Sequence, residues 1–386
     1  MDVSRTANFT LTGGPIEATD RTLRALSRPV YYHYDPDFKE IFAETTRMLK
    51  EVFQTEQDVI MMQGEALLGL EAAAACCFQP GDKVLNLVSG TFGHEYAWYI
   101  ELYGAEPIEI RVPYNEVIDP ADVRKVLMEN PDISYLAVVH SETPSGTLNP
   151  VEEICPIAKE FGVVTIVDAV SSMAGVDIRP DEWGFDICVV GPQKCIASTP
   201  GLALISVSED GWNAMRKHDP PIRYSYLSML DWKEIYLETG KFPYTIFTNE
   251  VVALHEALQQ ILEEGLENVW ERHASAAAMC RAGVRGMGLE IWPARDDICT
   301  PCVTAIKTPK GVDDEELRMH MYREYGVLIS PGFKDLMGKL IRIGHMGKVA
   351  DPMYVMVALA ALEKSLDDMG YPVKLGGGVA AAMEAF

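Results

Sequence analysis

Between residues 58 and 208 one pattern repeats, a short run rich in Val, Ile and Leu followed by a helical or turn-forming stretch, and few folds accept it. The runs are DVIMM (58–62), KVLNLV (83–88), EPIEIRV (106–112), ISYLAVV (133–139), VVTIVDA (163–169), DICVV (186–190) and LALISV (202–207). Most have no polar face, so they are expected to be covered on both sides. Helical segments such as PADVRKVLMEN (120–130) and VEEICPIAKEFG (151–162) supply the cover. The pattern predicts an α/β fold with a mainly parallel seven-stranded sheet. In such sheets ligands gather beyond the carboxyl ends of the strands.

From about residue 250 the pattern changes. A long helical stretch (250–288) leads into PCVTAIKTP (301–309), GVLISPG (326–332) and KLIRIGHMG (339–347), separated by EELRMHMYREYG (315–326) and followed by a helix near 352–369. These predict a smaller C-terminal α/β domain over 256–386, after a large domain with an N-terminal arm over 1–255. Gly376, Gly377 and Gly378 interrupt the pattern and predict a loosely ordered tail.

Charge and cysteine usage narrow the class. A formal net charge of −24 would be repelled by nucleic acid and by anionic membranes, so neither is expected as a partner. No run approaches the roughly 18 apolar residues of a membrane span, and the first residues lack the form of a secretory signal, which predicts a cytoplasmic protein. Cys299 and Cys302 form the single CxxC, without the two further ligands of a structural zinc site, so no metal is expected.

Two strand ends carry the chemistry. VVTIVDAVSS places Asp168 at the end of one apolar run, and CVVGPQKCIAS places Lys194 just past the next. A carboxylate there needs a cation or strong donor, and burial disfavours the ammonium form of a lysine. Together they suggest a pyridoxal site, in which the Asp holds a protonated pyridine nitrogen and the Lys amine forms a Schiff base. A third stretch, MMQGEALLGLEAAAACC (61–77), reads as a helix start that could hold an anion, yet Glu65 places an acid there. Gly64 and Gly69 have the spacing of a phosphate loop, but Leu70 and Glu71 follow where such a loop needs Lys and then Ser or Thr.

LTGGP (11–15), GEALLGLEAA (64–73), SGTFGHEYA (89–97), HSETPSGTLNP (140–150), VDAVSSMAG (167–175), GPQKCIASTPG (191–201) and IRIGHMG (341–347) occur in one order along nearly the whole chain. In these the sequence resembles the class V aminotransferases of fold type I, the alanine–glyoxylate and serine–pyruvate group. The resemblance implies that Lys194 forms the Schiff base and shuttles the proton, and that Asp168 pairs with the ring nitrogen. It places Phe92 on one ring face, Val170 on the other and Thr143 at the ring hydroxyl. Gly64, Glu65 and Gln193 would line the phosphate cup, joined by Thr245 from a neighbouring subunit. Tyr32, ahead of the matching YDP at 34–36, belongs to the same ring-binding set. Arg342 would hold the substrate carboxylate as a fork.

Two positions depart from the family pattern. Phe242 stands where relatives carry a cup tyrosine, and Glu65 brings a charge where they carry an uncharged residue or His. A carboxylate about 4 Å from one negative charge costs roughly 4 kcal/mol at an effective dielectric of 20. The stretches VPYNE-x-IDP (112–120) and RIGHMG (342–347) are similar to the pyridoxamine–pyruvate branch of the family, although Phe333 replaces an arginine of that branch. The expected reaction is therefore amino transfer from pyridoxamine to pyruvate, giving pyridoxal and L-alanine, with no cofactor beyond the pyridoxal or pyridoxamine substrate at Lys194. The alternative is a conventional alanine–glyoxylate or serine–pyruvate enzyme using pyridoxal 5′-phosphate. Sites shared between subunits imply a homodimer or a dimer of dimers.

Overall fold

The computed structural model describes residues 7–386. Its strands are β1 (Phe9–Leu11), β2 (Asp58–Gln63), β3 (Lys83–Val88), β4 (Glu106–Arg111), β5 (Ile133–Val139), β6 (Ser141–Glu142), β7 (Thr147–Leu148), β8 (Val164–Asp168), β9 (Ile187–Val190), β10 (Leu202–Val207), β11 (Val303–Lys307), β12 (Val327–Pro331) and β13 (Leu340–Gly344). Seven form one sheet in the order β2-β10-β9-β8-β5-β3-β4. Only β10 runs against its neighbours β2 and β9, so the sheet is mainly parallel as the apolar runs predict.

That direction positions the site. Five parallel strands release their chains on one side of the sheet: β2 into Gly64 and Glu65, β3 into the helix Thr91–Leu102, β5 into the β6–β7 ribbon, β8 at Asp168, and β9 into Gly191–Lys194. Residues far apart in sequence therefore meet at one edge. The helix Ala66–Cys77 lies close on the sheet because its residues are small; a Cβ at Gly69 would come within 2.9 Å of Val189 and 3.2 Å of Ala203.

A second sheet has the order β1-β12-β13-β11, with β1 parallel to β12. The N-terminal segment thus crosses to this smaller sheet, a pairing too short to read in the sequence. Three expectations need correction. The stretch from residue 250 is two helices, Thr248–Glu264 and Leu266–Gly286, broken at Gly265 with φ +87°. The boundary expected after residue 255 falls inside the first of these, which packs on the helices Asp20–Leu26 and Pro36–Phe53. The tail is ordered: Gly377–Glu384 is a helix against Leu266–Gly286, and the buried Glu363 carboxylate accepts from Gly376 N–H at 2.9 Å and from Gly378 N–H at 2.5 Å. The glycines that read as breakers let the two backbones touch, since a Cβ at Gly286 would lie 2.6 Å from the Gly377 carbonyl. Among the described residues no helix is long and apolar enough to cross a membrane.

Candidate active site

Lys194 follows β9 through a tight turn and reaches back over the N-terminal segment, where its Nζ donates to the Gly13 carbonyl at 2.5 Å. The neighbouring Gly14, at φ +102°, is required here, because a Cβ would fall 2.4 Å from Nζ. Burial first, and then the Arg342 guanidinium, lower the Lys194 pKa from 10.5 to about 8. A neutral amine is thus accessible near neutral pH.

Asp168 is the last residue of β8 and is buried. Its Oδ1 accepts from the Val170 N–H at 2.9 Å. Burial raises its pKa from 3.8 to about 6, against the pull of that N–H and of Lys194. Among the described residues no cation lies within ion-pair distance of it. A carboxylate kept in this state calls for a positively charged donor such as a protonated ring nitrogen.

Arg342 sits in mid-β13, opposite Ala305 on one side and Ser330 on the other. Its Nε donates to the Pro331 carbonyl at 2.8 Å and its Nη1 to the Thr143 carbonyl at 3.1 Å. Burial lowers its pKa from 12.5 to about 10. Among the described residues it has no carboxylate partner, so a buried cation is presented without an anion, which suits a substrate carboxylate.

The residue before Thr143 is one that sequence reasoning missed. Glu142 is fully buried, and its carboxylate accepts from Gly93 N–H at 2.7 Å and Phe92 N–H at 3.1 Å, at the start of the helix Thr91–Leu102. Burial pushes its pKa up to about 7 despite these donors. One dipeptide therefore anchors Phe92 through the Glu142 side chain and Arg342 through the Thr143 carbonyl. The only signal in the sequence was an acid within the small-residue run HSETPSG. Glu142→Ala should destabilise the protein by on the order of 2–3 kcal/mol, since two buried helix-start amides lose their acceptor. An unchanged thermal midpoint would refute this role.

Glu65 is the N-cap residue of the helix Ala66–Cys77, but its side chain makes no capping bond. Its Oε2 accepts from Gln193 Nε2 at 3.4 Å, and its charge raises the pKa values of both Asp168 and Lys194. The contact with Gln193 sets this exposed carboxylate beside the loop that carries Lys194. Gly64, at φ +137°, makes the turn that delivers it. Phe92 and Asp168 border one cavity of about 650 Å³ that continues past the helix Thr91–Leu102. Lys194, Arg342 and Glu65 do not line it, so it is the side chains that mark the reaction centre. Val170 packs beside Gly191, and Thr143 is buried.

Three sequence-stretch residues stand elsewhere. Tyr32 and Thr245 are exposed and make no bond to this group among the described residues. Phe242 is buried in an aromatic cluster of its own chain, stacked on Tyr236 at 5.0 Å and 12° and edge-on to Phe42 at 4.9 Å. Packing within its own chain accounts for an aromatic side chain at this position.

The residues fit a pyridoxal-type coenzyme: among the described residues Asp168 has no cation partner and the buried Gln193 Oε1 no hydrogen-bond partner, and Lys194 has a depressed pKa. The family model of class V aminotransferases matches residues 21–339. The chain is 41% identical over 375 residues to a pyridoxamine–pyruvate transaminase of Mesorhizobium japonicum, covering 97% of this chain and 95% of the relative. It is 32% identical to an (S)-ureidoglycine–glyoxylate transaminase of Bacillus subtilis, covering 97% and 94%. The crystal structure of pyridoxamine–pyruvate aminotransferase from Mesorhizobium loti superposes with a TM-score of 0.96 at 40% identity, covering 100% of this chain and 98% of that one. The expectation of no cofactor beyond the vitamer substrate is overturned by this match, because enzymes of this family and fold use pyridoxal phosphate. With the fold, the strand-end lysine and aspartate, and matches over nearly its full length, the chain belongs to the class V aminotransferases and is a transaminase.

Proposed function

We propose that the chain transfers the amino group of pyridoxamine to pyruvate, giving pyridoxal and L-alanine. The observation that carries this reading is the Glu65 carboxylate, which accepts from Gln193, the residue before Lys194. A donor with a free 5′-hydroxyl would donate a hydrogen bond to it. The 41% relative is named for this reaction.

A bound pyridoxal-type ring supplies an electron sink for the carbon that loses its proton. The chain's residues do the rest. Asp168 would hold the ring nitrogen protonated. Phe92 and Val170 would pack on the ring, Thr143 would donate to its hydroxyl, and Gly64, Glu65 and Gln193 would hold the 5′ substituent. Arg342 fixes the acceptor carboxylate, and the neutral Nζ of Lys194 moves the proton between donor and acceptor carbons. Thr245 and Tyr32, exposed in one chain, would complete the site of a second copy in a homodimer. Eight free cysteines, most of them buried, accord with a reducing cytoplasm.

The test is incubation of the purified enzyme, with pyridoxal phosphate present, with pyridoxamine and pyruvate. Pyridoxal and alanine should form in equal amounts. Turnover of alanine or serine with glyoxylate, and none with pyridoxamine, would replace this reading by the conventional one. Glu65→Gln should raise KM for pyridoxamine about tenfold, the loss of one charge-assisted hydrogen bond. Equal KM values in parent and variant would show that Glu65 does not touch the donor.

A further inference from the structure

Phe333 is 36% exposed, and the chain around it is built to keep it so. The turn after β12 is tight. A Cβ at Gly332 would lie 1.9 Å from the Leu336 carbonyl, Leu336 N–H donates to the Phe333 carbonyl at 3.1 Å, and the Leu336 side chain is buried with Ala305 and Leu340. The turn leaves from Pro331, whose carbonyl fixes Arg342 Nε. From there the Phe333 ring leans on Phe92, with centroids 5.9 Å apart at 37°. An apolar ring therefore stands against the residue assigned to the ring face, two positions along the chain from the carbonyl that holds Arg342.

The nearby cations are already engaged. Lys334 lies 5.6 Å over the Phe333 ring and pairs with Glu95. Arg111 Nε donates to Glu109 at 2.6 Å, and its Nη1 contacts His94 at 3.1 Å. A second carboxylate on the acceptor would meet Phe333 and no free positive group among these residues.

We infer that Phe333 is a specificity residue, selecting 2-oxo monocarboxylates whose side chain is short and apolar and rejecting 2-oxo dicarboxylates. The inference rests on the reading that Arg342 holds the acceptor carboxylate. The exchange balances without an outside oxidant: the donor's aminomethyl carbon becomes the aldehyde as the acceptor's ketone carbon takes the amine and a hydrogen.

Initial rates at saturating pyridoxamine test it with pyruvate, 2-oxobutyrate and oxaloacetate. The kcat/KM for 2-oxobutyrate should be about fourfold above that for pyruvate, the fold-change of one buried methylene. Oxaloacetate should fall at least about 100-fold below pyruvate. Phe333→Ala should erase the 2-oxobutyrate advantage. Oxaloacetate within tenfold of pyruvate in the parent enzyme would overturn the inference. Calorimetric titration of butanoate and succinate needs no amino donor, so it decides the matter even if pyridoxamine proves inactive. Butanoate should bind at least about tenfold more tightly, with the difference lost in Phe333→Ala; equal binding by the parent enzyme would overturn it.

Discussion

Lys194→Ala should leave a folded protein whose transamination is at least about 10,000-fold slower than the parent's, the largest effect of any single substitution. The amine lies within electrostatic reach of Asp168, and its pKa of about 8 makes the neutral form available where a surface lysine would stay charged. The sign of the pH dependence follows. Burial disfavours the ammonium, so the base-competent fraction grows as pH rises through about 8, and kcat/KM of the free enzyme should climb between pH 7 and 9 and then level. Its lower limb should fall below about 6, where Asp168 takes a proton. Steady-state rates across this range check both limbs. An Ala variant retaining more than about 1% of the parent rate would remove Lys194 from the reaction.

Asp168→Asn should separate activity from stability. The amide keeps the size and can still accept from Val170 N–H, but it cannot hold a protonated ring nitrogen by charge, so kcat/KM should fall roughly 100- to 1,000-fold. The coenzyme-free protein should gain stability. Asp168 has a pKa of 3.8 before folding and about 6 after, so the folded state favours the protonated form. That contribution is complete below 3.8 and is lost as pH rises through about 6. At pH 7 the ionised group costs on the order of 3 kcal/mol, which the neutral amide removes. Thermal midpoints of coenzyme-free parent and variant at pH 7 test this, and a less stable variant would contradict it. A strained acid of this kind is a common cost of a functional site.

How much of this was legible beforehand differs from residue to residue. Asp168 and Lys194 stood out because each is a charged group at the end of an apolar run, where burial must be compensated. The seven strands were legible because a strand covered on both faces must be apolar throughout its length. Glu142 was not, since its partners are backbone amides of Phe92 and Gly93, almost fifty positions earlier, and backbone groups carry no sequence signal. The packing of Phe242 was hidden for a related reason. Its place in a motif said nothing of Phe42 and Tyr236, whose rings hold it in the core.

By itself the sequence determined the α/β architecture and the class of chemistry, because strand periodicity and the cost of burying charge are local properties of the chain. Tertiary structure alone decided the rest. It set Glu65 beside Gln193, joined β1 to the small sheet, ordered the glycine-rich tail against Gly283 and Gly286, and set Phe333 beside Phe92. Each of these depends on contacts between segments tens to hundreds of residues apart. Their geometry follows from the packing of whole elements, which no window of the sequence contains.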